Sequence, residues 1–159
     1  MSHKIYRITV RGMLRNVFEV RDGDKHVYTI ESIDFFGKNS EMRDASGNLI
    51  YSIVRPFSFW KMHFHILKGN NLITHVEGGY GWKPKLEFTG QLADHRVEGK
   101  ISGREFKIYN ASGEEVGIIS KKLFSVKDQY GIGVQEDENL ELYILIPILL
   151  DKYLTKRGS

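Results

Sequence analysis

A polar residue followed by glycine returns along this chain at a nearly constant step: Asp22-Gly23, Ser46-Gly47, Lys68-Gly69 and Ser112-Gly113. The step is roughly two dozen residues. The gap before Gly113 is about double, which places one lost marker near Gly90. Aromatic clusters keep the same step: Phe35-Phe36, Phe57-Ser58-Phe59-Trp60, Tyr80-Gly81-Trp82 and Leu123-Phe124-Ser125-Val126. Between the markers apolar and polar residues alternate, as in Phe18-Glu19-Val20-Arg21 and from His26 to Ile33. Alternation rich in β-branched and aromatic residues, cut by polar-glycine pairs, predicts half-buried strands joined by tight hairpins. About twelve strands are expected, from Lys4–Val10 to Asp128–Val134. A meander that long exposes two edges unless it closes, so a barrel or a paired sandwich is expected.

The end of the chain breaks the alternation. Asn139 to Leu154 is almost wholly apolar in its middle. Glu136, Asp137 and Glu138 precede it, and Lys152, Lys156 and Arg157 close it. That charge order suits a helix dipole. The apolar run from Leu142 to Leu150 is about half the ~20 residues a membrane span needs. A helix apolar on all sides but too short to span is buried inside its own protein. Pro147 removes one backbone hydrogen bond and predicts a kink, so a final buried strand is the alternative for this segment.

Three successive features carry a resemblance: Gly117-Ile118-Ile119-Ser120-Lys121-Lys122-Leu123-Phe124-Ser125, then Asp128-Gln129-Tyr130-Gly131-Ile132, then the apolar helix reaching Leu150-Asp151. Together with the repeated hairpins, this combination resembles the LURP-one-related family, whose fold is shared with the tubby C-terminal domain and the phospholipid scramblases. The resemblance covers nearly the whole chain. It implies one domain over residues 1–159, an all-β closed antiparallel barrel of about twelve strands around a central hydrophobic C-terminal helix. Tubby domains bind phosphoinositides and scramblases act at membranes, but fold analogy alone does not carry function across. The chain shows no proline-rich N-terminal extension, no cysteine to acylate and no segment of bilayer length, so a scramblase-type activity is not expected.

Several chemistries are disfavoured by what the chain contains. It has no cysteine, which excludes disulfides, thiolate metal sites and a cysteine nucleophile. Met1 to Arg15 has no apolar core of the signal-peptide kind. No Ser-His-Asp set, paired carboxylates or metal-binding helix is recognisable, Asp34 and Asp94 are isolated, and no enzyme activity is expected. Gly78, Gly79 and Gly81 surround Tyr80 but lack the helix and Lys-Ser/Thr of a phosphate loop, so they read as a β-turn. His63-Phe64-His65 places two imidazoles on one face of a strand, and His75 is the nearest third ligand. The reading taken is two surface histidines with Phe64 in the core, with no cofactor and no metal.

The basic residues carry the ligand expectation. Arg55, Lys61, Lys68, Lys83, Lys85, Lys121 and Lys122 sit at or beside the aromatic turns, and Trp60 and Trp82 adjoin Lys61 and Lys83. Aromatic and basic turns gathered at one rim suit an anionic membrane surface or a phosphorylated ligand. The alternative is ordinary solvated lysines at turn positions. The expected site is therefore Trp60, Lys61, Trp82, Lys83, Lys121 and Lys122, and the expected partner an anionic phospholipid head group. A net charge of +3 with no nucleic-acid motif disfavours DNA or RNA. The expectation is a cytoplasmic binding or scaffold domain, peripheral to membrane if it binds lipid. A protein-interaction module and an enzyme with an unrecognised rim site are the alternatives.

Overall fold

The structure, a computed structural model, describes residues 3–12, 16–34, 38–56, 61–79, 85–100, 105–120 and 129–157. The strands are β1 (Lys4–Arg11), β2 (Val17–Asp22), β3 (Lys25–Ser32), β4 (Asn39–Asp44), β5 (Leu49–Val54) and β6 (Met62–Lys68). They continue as β7 (Asn71–Gly79), β8 (Lys85–Gly90), β9 (Arg96–Lys100), β10 (Glu105–Tyr109), β11 (Glu115–Ser120) and β12 (Gln129–Val134), followed by the helix α1 (Leu140–Arg157). All twelve strands form one sheet in the order β8-β7-β6-β5-β4-β3-β2-β1-β12-β11-β10-β9. Every pairing is antiparallel. The pairing of β1 with β12, Lys4 opposite Val134 through Thr9 opposite Gln129, curls the meander back on itself. The result is a nearly closed barrel whose two edges, β8 and β9, are consecutive in the chain.

Alternation decides which side chains enter. In β1, Tyr6, Ile8 and Val10 are buried; in β6, Met62, Phe64 and Ile66 are, with His63 and His65 on the outer wall. The helix fills the space the strands enclose. Leu142 to Leu150 is buried without a break, and Ile144, Leu145 and Ile148 are wholly inaccessible. An apolar surface all round the helix is what enclosure by a barrel wall requires. Pro147 lies inside α1 and does not end it, so the final-strand alternative is set aside. Its ring forgoes one i→i−4 bond. The burial of its neighbours on every side holds the helix through that position. The start is capped: the Tyr143 N–H donates to the Asn139 carbonyl (2.9 Å), and the Asn139 N–H donates to Asp137 Oδ1 (2.7 Å).

The open seam between β8 and β9 is closed by the turn that joins them. Leu92 is fully buried there. Gln91 Nε2 donates to Asn139 Oδ1 (2.7 Å), and the Gln91 N–H donates to the Ile73 carbonyl (2.9 Å). Gly90 stands where the repeat lost its marker, at φ 74°, and a Cβ there would lie 2.3 Å from the Ile73 carbonyl oxygen. By contrast Gly23, at φ 60°, has open space around it. Gly23→Ala should therefore cost about 1 kcal/mol, the left-handed backbone penalty alone. Gly90→Ala should cost clearly more, about 3 kcal/mol, because backbone must also move. Denaturant midpoints with matched slopes check this. Equal costs would show that the seam turn yields freely.

Candidate functional site

The meander sorts its connections to two ends of the barrel. Tight turns after β2, β4, β6, β8 and β10, and the link from β12 to α1, lie at one end, here the hairpin end. The strand ends flanking 12–16, 33–38, 55–61, 80–84, 101–104 and 121–128 all lie at the opposite end. Charge follows this division. Connections at the hairpin end hold Asp24, Asp94, Glu114, Glu136, Asp137 and Glu138 and no lysine or arginine. Among the described residues, the connections at the opposite end hold Lys38, Arg55 and Lys61 against Asp34. In sequence, the segments between the other strand ends there add Arg15, Lys83, Arg104, Lys121, Lys122 and Lys127 against Asp128. The helix dipole is aligned with the same axis, its positive end among the acids.

Of the six expected site residues, Lys61 is described. Trp60, Trp82, Lys83, Lys121 and Lys122 lie outside the described residues, as do the aromatic clusters Phe35-Phe36, Phe57–Trp60, Tyr80–Trp82 and Leu123–Val126. Lys61 immediately precedes β6 and bridges to Glu77 Oε1 on β7 (2.9 Å). That hydrogen bond raises the Lys61 pKa and, as its largest cause, lowers that of Glu77. Both groups keep their charges, in a surface pair of small energetic worth. Two expectations need correction. Lys68 ends β6 at the hairpin end, so sequence order places it beside an aromatic cluster but the strand carries it away. Gly78 and Gly79 are not in a turn: they extend β7, paired with Met62, Leu86 and Lys85.

Lys152, read in the sequence only as one of the basic residues that close the helix, sits at the basic end with its ammonium drawn inward. Lys152 Nζ donates to Oγ of the buried Ser40 (2.7 Å). Burial lowers its pKa to about 8, with repulsion from Arg55 adding and Asp34 and Asp151 opposing. Asp34 is committed elsewhere, its two oxygens accepting the N–H groups of Lys38 and Asn39 at 2.8 Å each. The only sequence signal for Lys152 was its position in the last turns of an otherwise apolar helix.

The hairpin end holds a second polar group around the helix start. Tyr143 OH donates to Asp137 Oδ2 (3.1 Å) and lies 3.3 Å from His95 Nε2; burial pushes its pKa up to about 12. Tyr28 OH donates to Glu141 Oε1 (3.3 Å). These bonds tie α1 to the wall and the seam turn.

The outer wall carries the third cluster. His65 and His75 are register partners across β6 and β7, and His63 faces Glu77. His63 Nδ1 and His75 Nε2 are 3.1 Å apart, and the His65 ring meets His75 edge-on at 4.9 Å between centroids. Burial, then the neighbouring imidazoles, lower the His75 pKa.

Residues 7–151 match the model of a family described as LURP-one-related. No curated protein matches the chain. The fold is similar to the X-ray structure of an Arabidopsis thaliana protein, with a TM-score of 0.68 at 16% identity, over 96% of this chain and 93% of that one. Among the described residues, no helix is long and apolar enough to cross a membrane.

Proposed function

The chain belongs to the LURP-one-related family, and from that premise we propose a non-enzymatic binding or scaffold domain that takes an anionic ligand, a phospholipid head group, at the basic end of its barrel. The observation that carries this is the division of charge between the two sets of connections. Of the expected ligand residues, Lys61 stands in this set, and Trp60, Trp82, Lys83, Lys121 and Lys122 fall in sequence within segments whose flanking strand ends lie at the same end. Lysines there attract anionic head groups, and tryptophans seat at the membrane–water interface. The acidic hairpin end faces away, so attraction orients the barrel as well as binding it. The interior is filled by α1, which leaves the rim and outer wall, and not a lipocalin-like cavity, as the place for a ligand.

Flotation with vesicles of defined composition tests this. Binding to vesicles rich in phosphatidylserine or phosphoinositide is expected at low salt, with little binding to neutral phosphatidylcholine. Affinity should fall as salt shortens the screening length. Each lysine near the surface contributes about 1 kcal/mol, so a Lys61→Glu, Lys83→Glu double variant should bind roughly 30-fold more weakly or worse with its melting transition intact. A wild type that ignores anionic vesicles at low salt removes the lipid reading, and a protein-interaction module takes its place.

A further inference from the structure

We propose that His63, His65 and His75 form a transition-metal site on the outer wall of the barrel, taking zinc or a similar borderline divalent cation through three imidazoles. This goes beyond the ligand reading above and does not depend on it. It also revises the sequence expectation, which named His75 as the nearest third partner but took His63 and His65 as two surface histidines without a metal.

The wall geometry supplies that partner. His63 and His65 are two apart on β6 and point the same way. A register shift between Ile66 and Leu67 makes His75 the partner of His65. The bulge thereby turns His75 outward beside the other two. Without the shift it would stand opposite the inward-facing Phe64. A strand offering imidazoles at i and i+2, with a third from its neighbour, meets the count of three protein ligands and an open position that zinc takes outside purely structural sites. All three side chains are half-buried, which limits the rotamer entropy lost on binding.

The distances agree. Two nitrogens bound to one tetrahedral zinc at 2.0–2.1 Å stand about 3.3 Å apart; His63 Nδ1 and His75 Nε2 are at 3.1 Å. Their rings are 5.2 Å between centroids with 8° between planes. With so short a separation of the nitrogens, the rings meet end to end, so the contact is one N–H···N bond and not face stacking. One of these nitrogens donates and the other accepts. In this arrangement the donors do not converge, and among the described residues no ready-made three-ligand set exists. For a cation to bind, the donating imidazole shifts its proton through solvent to its other ring nitrogen, so that both rings stay neutral. The two rings rotate off their common line to point their lone pairs at the cation, while His65, edge-on to His75, closes the third side. Glu77, the register partner of His63, lies beside the site and is paired to Lys61 at 2.9 Å.

Zinc titration by calorimetry, with chelator-treated full-length protein, tests this. One equivalent is expected to bind, and His75→Asn and His65→Asn should each weaken it by at least about tenfold. His26→Asn, a histidine on another part of the wall, should leave it unchanged. Imidazole resonances of His63, His65 and His75 should move on zinc addition while those of His26 and His95 stay, which answers the question even where a variant fails to fold. Zinc binding that survives His75→Asn, resonance changes confined to other histidines, or no binding to the wild type would each overturn the site.

Discussion

Ile146→Lys is expected to cost several kcal/mol of stability. Ile146 is 1% exposed in the middle of α1, with the barrel wall on every side. An ammonium there has no partner and no route to water, and burial of an uncompensated charge costs several kcal/mol. Native stability is commonly about 5–15 kcal/mol, so this one change takes a large part of it. Removing the helix takes all of it. Leu142, Tyr143, Ile144, Leu145, Ile146, Ile148, Leu149 and Leu150 are each at most 3% exposed. Buried side chains of this size contribute roughly 1.5–3 kcal/mol apiece, so their sum exceeds the usual margin even before the inner faces of the strands lose their cover. A chain cut before Asn139 should show no sharp melting transition by circular dichroism. One that still melts in a single step would mean that the twelve strands close without the helix.

Lys152→Met is expected to act in the opposite direction. The folded chain holds this amine near pKa 8, against 10.5 for a free lysine. Below pH 8 it is charged in both states, and the fold bears the whole cost of burying it, about 3 kcal/mol. Between pH 8 and 10.5 the unfolded chain binds a proton that the folded chain has shed, so stability gains from this group as pH rises. Above 10.5 the cost is gone. Methionine keeps the volume and removes the charge, at the expense of the bond to Ser40 Oγ, worth about 1 kcal/mol. The net gain at pH 7 should be about 2 kcal/mol, a rise in Tm of several degrees. At pH 10.5 the gain should vanish. Comparing the two proteins at each pH separates this amine from half-buried Tyr28 and buried Tyr51, whose pKa values are raised by burial first and then by Glu141. A variant no more stable than the wild type at pH 7 would show that the ammonium is well solvated. A lysine retained at a cost to stability, at the basic end, accords with a role in attracting an anion.

Much of this architecture was legible in local pattern. Alternation marked twelve strands, and the observed ones fall close to them, because a residue's side of a strand depends only on its parity within that strand. Polar-glycine pairs marked the turns, and the doubled gap pointed to Gly90, whose positive φ is a property of its own backbone. The apolar run flanked by acid and base announced a helix that must be enclosed.

Sequence by itself thus determined the kinds of element, their order and the need for the sheet to close, since each follows from neighbours a few residues apart. Tertiary structure decided the rest. Whether Pro147 ends a helix or sits within one depends on a wall built from distant strands. Lys152 looks like an ordinary C-terminal lysine until Ser40, on β4, draws its ammonium inward. Lys68 and Lys61 are both lysines near aromatic clusters in the sequence, yet β6 carries them to opposite ends of the barrel. His75 would face the core in an unbroken hairpin, and one bulge puts it beside His63 and His65. Parity is local, but a single register shift inverts it for every residue beyond, and only the meeting of two strands sets where that shift falls.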